Sequence, residues 1–326
     1  GQVDMIWVID DSGSMGPDQE NLRANISRFI TSFVDTYHLD FKLAVTTTAV
    51  YHPENADSPQ WALKTVNGRF MNFINEDPDR HDRNYDTFAT PNGYPAVLTS
   101  DMDPSVVVEA FSKNADVGVW RGPDEQGLEP ARLALSNDYG HPQNEGFLRE
   151  NALLSIVVVS DEKEQSLTEG PRLFPEIAAM DKDPASPDYY VRHYMNYFTS
   201  LKRHPRQFHF TSIMGTLNAG YPEAVAIAAE LGAGSIGLDA LKNDQVADWA
   251  GILDHLSATI ATATDQIFEL DNTPVVSTIR VIVDGAVVNS SPGTWFYSET
   301  DNAIVVTHSA NIPAGAEIKV GYKIAH

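Results

Sequence analysis

Seven consecutive residues, Leu153-Leu154-Ser155-Ile156-Val157-Val158-Val159, hold a single polar side chain. A strand that is apolar toward both sides must be covered on both, which is the situation of a parallel sheet lying between two helical layers. Similar runs occur at Met5–Ile9, Phe41–Thr46 and Phe208–Met214. Between them lie stretches with apolar residues every three or four positions, the mark of a helix with one buried stripe. Asn21–Tyr37 places Leu22, Ile26, Phe29, Ile30 and Phe33 this way, and Gln126–Leu135 places Leu128, Ala131 and Leu135. Tyr189–Leu201 carries an aromatic stripe, Pro222–Leu231 ends at Gly232, and Asp244–Thr264 runs through Val246, Trp249, Leu253, Leu256 and Ile260. The alternation predicts an α/β fold: a doubly wound, mostly parallel sheet flanked by helices, with ligand sites at the carboxyl ends of the strands.

Two stretches break the rhythm. Residues 51–118, rich in Pro, Asn, Asp and His, read as an insertion of long loops with one helix, and residues 162–188 as a second irregular insertion. After Leu270 the period becomes two: Ile279, Val281 and Val283 alternate up to Asp284-Gly285, a hairpin signal, and Ile304/Val306 and Ile318/Val320/Tyr322/Ile324 alternate again. The organisation expected is a large domain over residues 1–268 and a small antiparallel β domain of about four strands over 269–326, packed on the first because so short a chain buries little core alone.

Composition narrows the function. Against 45 Asp and Glu stand 22 Lys and Arg, a formal charge of −23, which argues against nucleic acid or an anionic membrane as partner. Cysteine is absent, which removes disulfides, thiolate metal sites and Cys nucleophiles. No apolar run is long enough to span a bilayer, and no signal peptide is read at Gly1-Gln2-Val3.

The stretch that carries chemistry is MIWVIDDSGSM, residues 5–15, where an apolar strand runs into Asp10-Asp11-Ser12-Gly13-Ser14. Helix capping by Asp11, Ser12 or Ser14 is disfavoured, because residues 15–20 separate them from the first periodic position and a cap needs one oxygen, not several. A hard divalent cation explains the pattern better: Mg²⁺ takes oxygen ligands and keeps several waters. Asp10, Ser12 and Ser14, at alternate positions, can turn their oxygens to one side of a tight loop that Gly13 lets bend. A second acid is expected at a neighbouring strand end, where SIVVVSDEKEQS supplies Asp161.

Asp10-Asp11-Ser12-Gly13-Ser14-Met15 matches the Asp-x-Ser-x-Ser motif, and over roughly residues 3–265 the chain resembles von Willebrand factor A domains with a metal-ion-dependent adhesion site. VIDDSGSM together with VVVSDE is most similar to bacterial secreted or surface members, some of which carry a small module after the domain. The resemblance implies Ser12 and Ser14 as hydroxyl ligands, Asp10 and Asp161 as direct or water-mediated ones, and an open position filled by a partner's carboxylate. It implies Mg²⁺, with Mn²⁺ or Ca²⁺ as alternatives, a protein or glycan partner, and an extracellular, cell-surface or periplasmic location. The family also supplies a Thr or Ser from the loop before the helix at Gln126–Leu135, and residues 114–127 contain neither. Asp124 or Glu125 is the substitute, or water fills the gap; Glu125 is equally an ordinary acidic residue of a first helical turn. Trp120 and Arg121 are candidate partner contacts, an inward-packed Trp120 being the alternative, and Asp11, Glu162 and Lys163 complete the candidate binding set.

Enzyme readings fare worse. Asp10-x-Ser12 lacks the second acid of an Asp-x-Asp phosphotransferase loop. There is no Gly-x-Ser-x-Gly, phosphate loop or His-Glu-x-x-His, and His81, His141, His193 and His204 stand apart. The expectation is a cation-dependent adhesion domain rather than an enzyme; the alternative is a structural module that assembles a larger complex without metal-dependent binding.

Overall fold

The computed structural model describes residues 1–50, 68–72, 92–119, 126–136, 138, 140–166, 181–215, 220–241, 248–291, 293–307, 310, 312 and 316–325. Its centre is a six-stranded sheet built from β1 (Gln2–Ile9), β2 (Asp40–Thr47), β3 (Val97–Thr99), β4 (Leu153–Ser160), β5 (Phe208–Gly215) and β6 (Gly234–Leu241), in the order β3-β2-β1-β4-β5-β6. All neighbours are parallel except the edge pair β2–β3. The order reverses between β1 and β4, and such a switch point opens a crevice outside the carboxyl ends of those two strands.

Strand parity divides the core. Val3, Met5, Trp7 and Ile9, with Leu153, Val157 and Val159, face one helical layer: α1 (Gly16–Thr31), α2 (Pro104–Asn114) and α6 (Trp249–Ala263). Ile6 and Val8, with Leu154, Ile156 and Val158, face the other: α3 (Leu128–Ser136), α4 (Tyr190–Ser200) and α5 (Tyr221–Glu230). On the first side Trp7 packs edge-on to Phe29 and Phe111, both ring centroids at 5.5 Å.

Three elements differ from the sequence reading. Helix α1 starts at Gly16 rather than Asn21, with Pro in its first turn, so distance does not dispose of capping; yet neither Ser12 nor Met15, the two cap positions, makes a side-chain cap bond. The early turn hid because its core-facing position is Gln19, which is buried. Strand β6 was missed because GSIGLDAL lacks an apolar run; a Cβ on Gly234 would lie 2.5 Å from the His209 ring, so its glycine makes room for a neighbour. The 51–118 insertion holds, in its described part, the edge strand β3 and helix α2, capped by Asp103, which accepts from Ser105 N at 2.8 Å.

His209 is buried on β5, and burial pushes its imidazole down to about 4. The unfolded chain therefore takes up a proton near pH 6.5 that the folded chain refuses until about pH 4. Stability falls as pH drops through that window, by about 3 kcal/mol in full. The melting temperature of a His209→Asn variant is expected to decline less between pH 7 and pH 4.5 than the wild type's; parallel declines would show that another group carries the effect.

After α6 the chain forms two three-stranded antiparallel sheets: β7 (Gln266–Glu269), β10 (Trp295–Ser298) and β11 (Ala303–Val306), ordered β10-β11-β7, and β8 (Arg280–Val283), β9 (Ala286–Val288) and β12 (Ile318–Gly321), ordered β12-β8-β9. Among the described residues that is six strands where the alternation suggested about four; Trp295-Phe296-Tyr297-Ser298 and Gln266–Glu269 were the ones unread. Asp284 (φ 48°) and Gly285 (φ 83°) make the expected tight hairpin. Ile279, Val281, Trp295, Ile304 and Val306 form a core of their own, while every residue of β11 is buried. Asp301 ties this unit to the segment before β5: Arg206 Nη2 lies 3.2 Å and His204 Nε2 3.5 Å from its carboxylate. These partners hold the Asp301 carboxyl below the usual range, the Ser298 hydroxyl most of all. Asp301→Ala is expected to cost about 1 kcal/mol and to speed tryptic cleavage within residues 271–326; an unchanged digestion pattern would mean the contact does not hold the unit in place.

Candidate metal centre

Asp10 and Ser160 are the first residue past β1 and the last of β4, and both fall on the α3–α5 side of the sheet by parity with Ile6/Val8 and Ile156/Val158. Asp10 N donates to Val159 O at 2.9 Å, continuing the ladder one step past the strand. The chain then turns at once: Ser12 N donates to Asp10 Oδ1 at 2.7 Å, and Gly13–Met15 form a single 3₁₀ turn leading into α1. The turn carries the two hydroxyls outward. Ser12 Oγ and Ser14 Oγ share a hydrogen bond of 3.3 Å, with Ser12 half-buried and Ser14 exposed. Asp10 beneath them is fully buried, and its other oxygen, Oδ2, accepts from Ser160 Oγ at 2.6 Å.

Asp161 follows directly. It is half-buried, and its Oδ1 is shielded from solvent with no hydrogen-bond partner among the described residues. A buried carboxylate oxygen without a donor is costly unless a cation or water meets it. Like charges crowd the same place. The carboxyl of exposed Glu162 is pushed up by partial burial and then by Asp161 and Asp10, with Lys163 opposing; that of Asp18 is pushed up mainly by burial, with Asp161 adding to it. The acidic neighbours that act on Glu162 and Asp18 mark a site of negative potential that a divalent cation would neutralise.

The structure sets Asp10, Ser12 and Ser14 on one turn past β1 and joins Asp10 through Ser160 to the end of β4, where Asp161 follows, at the β1/β4 switch point. Among the described residues no group of three or more His, Cys, Asp or Glu side chains is placed to hold an ion; the donors here are two carboxylates and two hydroxyls. That set fits a hard cation that completes its octahedron with water. Asp11, expected at the partner surface, instead turns inward: it is fully buried and accepts from Thr48 Oγ1 at 3.2 Å, pinning the end of β1 to the end of β2. Glu162 and Lys163 are exposed at the rim. Trp120, Arg121, Asp124 and Glu125 lie outside the described residues.

Several supports went unread in the sequence. Gln19 Nε2 donates to Asp10 O (2.9 Å) and to Gly118 O (2.8 Å), stapling the motif to the segment that leads to residue 119. Val119 closes over the turn: a Cβ on Gly13 would come 3.9 Å from its carbonyl oxygen, and one on Gly16 3.6 Å from its side chain. From the other side Gln126 N donates to Thr48 O at 3.4 Å. Farther along the Asp161 loop, buried Glu164 and Ser166 receive the first backbone N–H groups of α3: Leu128 N to Glu164 Oε1 (3.4 Å) and Glu129 N to Ser166 Oγ (3.0 Å). A loop that follows one strand thereby caps a helix from elsewhere in the chain, and burial raises the Glu164 carboxyl against these bonds. No local signal reveals such a cap; the Gln19 contact could have been suspected from a polar residue three positions before Leu22 on the buried stripe.

No protein-family model matches the chain, and no curated protein matches it. Among solved structures the chain is similar to von Willebrand factor type A from Catenulispora acidiphila, at 12% identity over 94% of this chain and 54% of that one, with a TM-score of 0.40. It is similar to proximal thread matrix protein 1 from the mussel byssus, at 11% identity over 84% and 50%, TM-score 0.40. It is also similar to the pilus adhesin SpaC from Lactobacillus rhamnosus GG, at 11% identity over 98% and 39%, TM-score 0.39. The chain spans about half or less of the length of these structures, and none of the likenesses assigns it a function.

Proposed function

We propose that the chain is an adhesin-type binding domain of the cell surface or extracellular space that recognises a protein or glycan partner through a divalent cation, Mg²⁺ in the first instance. The observation that supports this reading is a turn carrying Asp10, Ser12 and Ser14 bonded through Ser160 to the strand end that Asp161 follows, the Asp161 Oδ1 being shielded and without a donor among the described residues. Asp10 and Asp161 would hold the ion from below and Ser12 and Ser14 from the exposed turn. A bound cation supplies a Lewis-acidic position facing solvent, and neutral hydroxyl donors leave part of its charge for a partner's carboxylate to meet. Asp10 is kept in place by donors on both of its oxygens, which lets it serve without reorganising. Glu162 and Lys163, exposed beside the site, are proposed to contact the partner, and Trp120 and Arg121 are proposed contacts from the sequence alone.

Binding is favoured over catalysis because the two outward hydroxyls pair with each other, and among the described residues no histidine or lysine is hydrogen-bonded to either as a base would be. No helix among the described residues is long and apolar enough to cross a membrane. Probing protein and glycan arrays with the chain in Mg²⁺ and in EDTA tests the reading. Capture is expected in Mg²⁺ alone, weakened about tenfold or more by Asp161→Ala; equal capture in both buffers would favour a structural module that assembles a larger complex.

A further inference from the structure

We infer that Ser160 is a positioning residue of the cation site: its buried hydroxyl bridges the two loops that bring the carboxylates and locks Asp10 in its ligating orientation. This rests on the cation-site reading above. Strand β4 reads LLSIVVVS and is buried at every position, so a serine at its last residue has no access to water and must satisfy its hydroxyl internally. It does so twice. Ser160 Oγ donates to Asp10 Oδ2 at 2.6 Å and accepts from Glu162 N at 3.0 Å. The first bond crosses from β4 to the end of β1; the second folds the chain back immediately after Asp161. One hydroxyl therefore sets both the carboxylate of Asp10 and the backbone that carries Asp161.

The geometry at Asp10 makes this more than packing. Its two carboxylate oxygens are gripped separately, Oδ1 by Ser12 N at 2.7 Å and Oδ2 by Ser160 Oγ at 2.6 Å. With both gripped the carboxylate cannot rotate about its last bond. Without Ser160 the hydrogen bond that fixes Oδ2 is lost, and the cation must then restrict more of the carboxylate's motion when it binds. Ser155, the other serine of β4, provides the contrast: it points to the opposite side of the sheet, and its hydroxyl meets no hydrogen-bond partner among the described residues. Ser160 has its partners because the site lies on its side.

The test uses the full chain and MgCl₂ as probe, by calorimetric titration at 25 °C, with circular dichroism to establish that each variant is folded. Ser160→Ala is expected to bind Mg²⁺ at least about tenfold more weakly while keeping its far-ultraviolet spectrum, as loss of a residue that orients a ligand does. Ser160→Thr keeps the hydroxyl and is expected to return to within about threefold of the wild type. Ser155→Ala, equally buried in the same strand, should leave Mg²⁺ affinity unchanged, which a general effect of disturbing β4 would not. A folded Ser160→Ala chain that binds Mg²⁺ within about twofold of the wild type, or a folded Ser160→Thr chain as weak as the alanine variant, overturns the assignment. Wild-type chain that takes up no Mg²⁺ defeats the cation-site reading, and this inference with it.

Discussion

Replacing Asp10 and Ser12 together by alanine is expected to reduce Mg²⁺ affinity at least about a hundredfold and to leave the chain folded. Both the charge and one hydroxyl of the centre are removed, and the surviving donors, Ser14 and Asp161, sit on separate loops. The fold should tolerate the change for an electrostatic reason. Without a cation, buried Asp10 adds to the negative potential that raises Glu162, so its loss relieves repulsion while leaving Ser12 N and Ser160 Oγ short of an acceptor. These effects oppose each other, and the melting temperature should move little. Titration with MgCl₂ alongside a thermal melt checks both halves, and retained affinity within about tenfold would mean that the ion sits elsewhere.

The largest stability effect is expected one helix away. Arg132 on α3 is buried with both oxygens of Glu129 as acceptors, Nε at 2.8 Å and Nη2 at 2.7 Å, while Nη1 reaches Asp138 at 2.7 Å and Tyr194 OH donates to Glu129 at 2.8 Å. Burial alone would lower the Arg132 guanidinium; the two carboxylates more than reverse that and raise it. Arg132→Ala leaves Glu129 in the core with one neutral donor from this set, and breaking a buried pair from one side costs about 3–5 kcal/mol. Glu129→Gln combined with Arg132→Met removes both charges and keeps an acceptor for Tyr194; it should recover more than half of the loss. Denaturant unfolding of the two variants measures the difference. A cost below about 1 kcal/mol for Arg132→Ala would show that water or a new partner replaces the guanidinium. Because α3 begins where Glu164 and Ser166 meet Leu128 and Glu129, loosening it should also weaken Mg²⁺ binding.

What could be read from the sequence followed a physical pattern. Strands β1, β2, β4 and β5 were legible because burial on both faces demands unbroken apolar runs, and Asp10 and Asp161 stood out because each puts a carboxylate at the end of such a run, Asp10 directly and Asp161 one residue past Ser160. Strand β6 was illegible: Gly234 yields its side chain to the ring of His209, so packing that is obvious in space leaves no trace in hydropathy. The first turn of α1 was hidden by Gln19, a polar side chain at a buried position that is used to bond Asp10 and Gly118. Asp11 was misplaced for a related reason. Two adjacent acids in a turn look alike in one dimension, but the turn sends Asp10 toward the site and Asp11 toward Thr48. Ser160 was visible as a letter of VVVSDE and silent as a contact, since its role depends on which strand lies beside β4.

Crystals grown or soaked with Mn²⁺ and measured at the manganese absorption edge test the central claim most directly. The account predicts one anomalous peak at the β1/β4 switch point, within coordination distance of Ser12 Oγ and Ser14 Oγ, with Asp10 and Asp161 bound to it directly or through one water. A chain that binds Mn²⁺ in solution but shows its peak away from these four residues, or shows Asp161 Oδ1 turned to a protein donor with no ion beside it, would contradict the account.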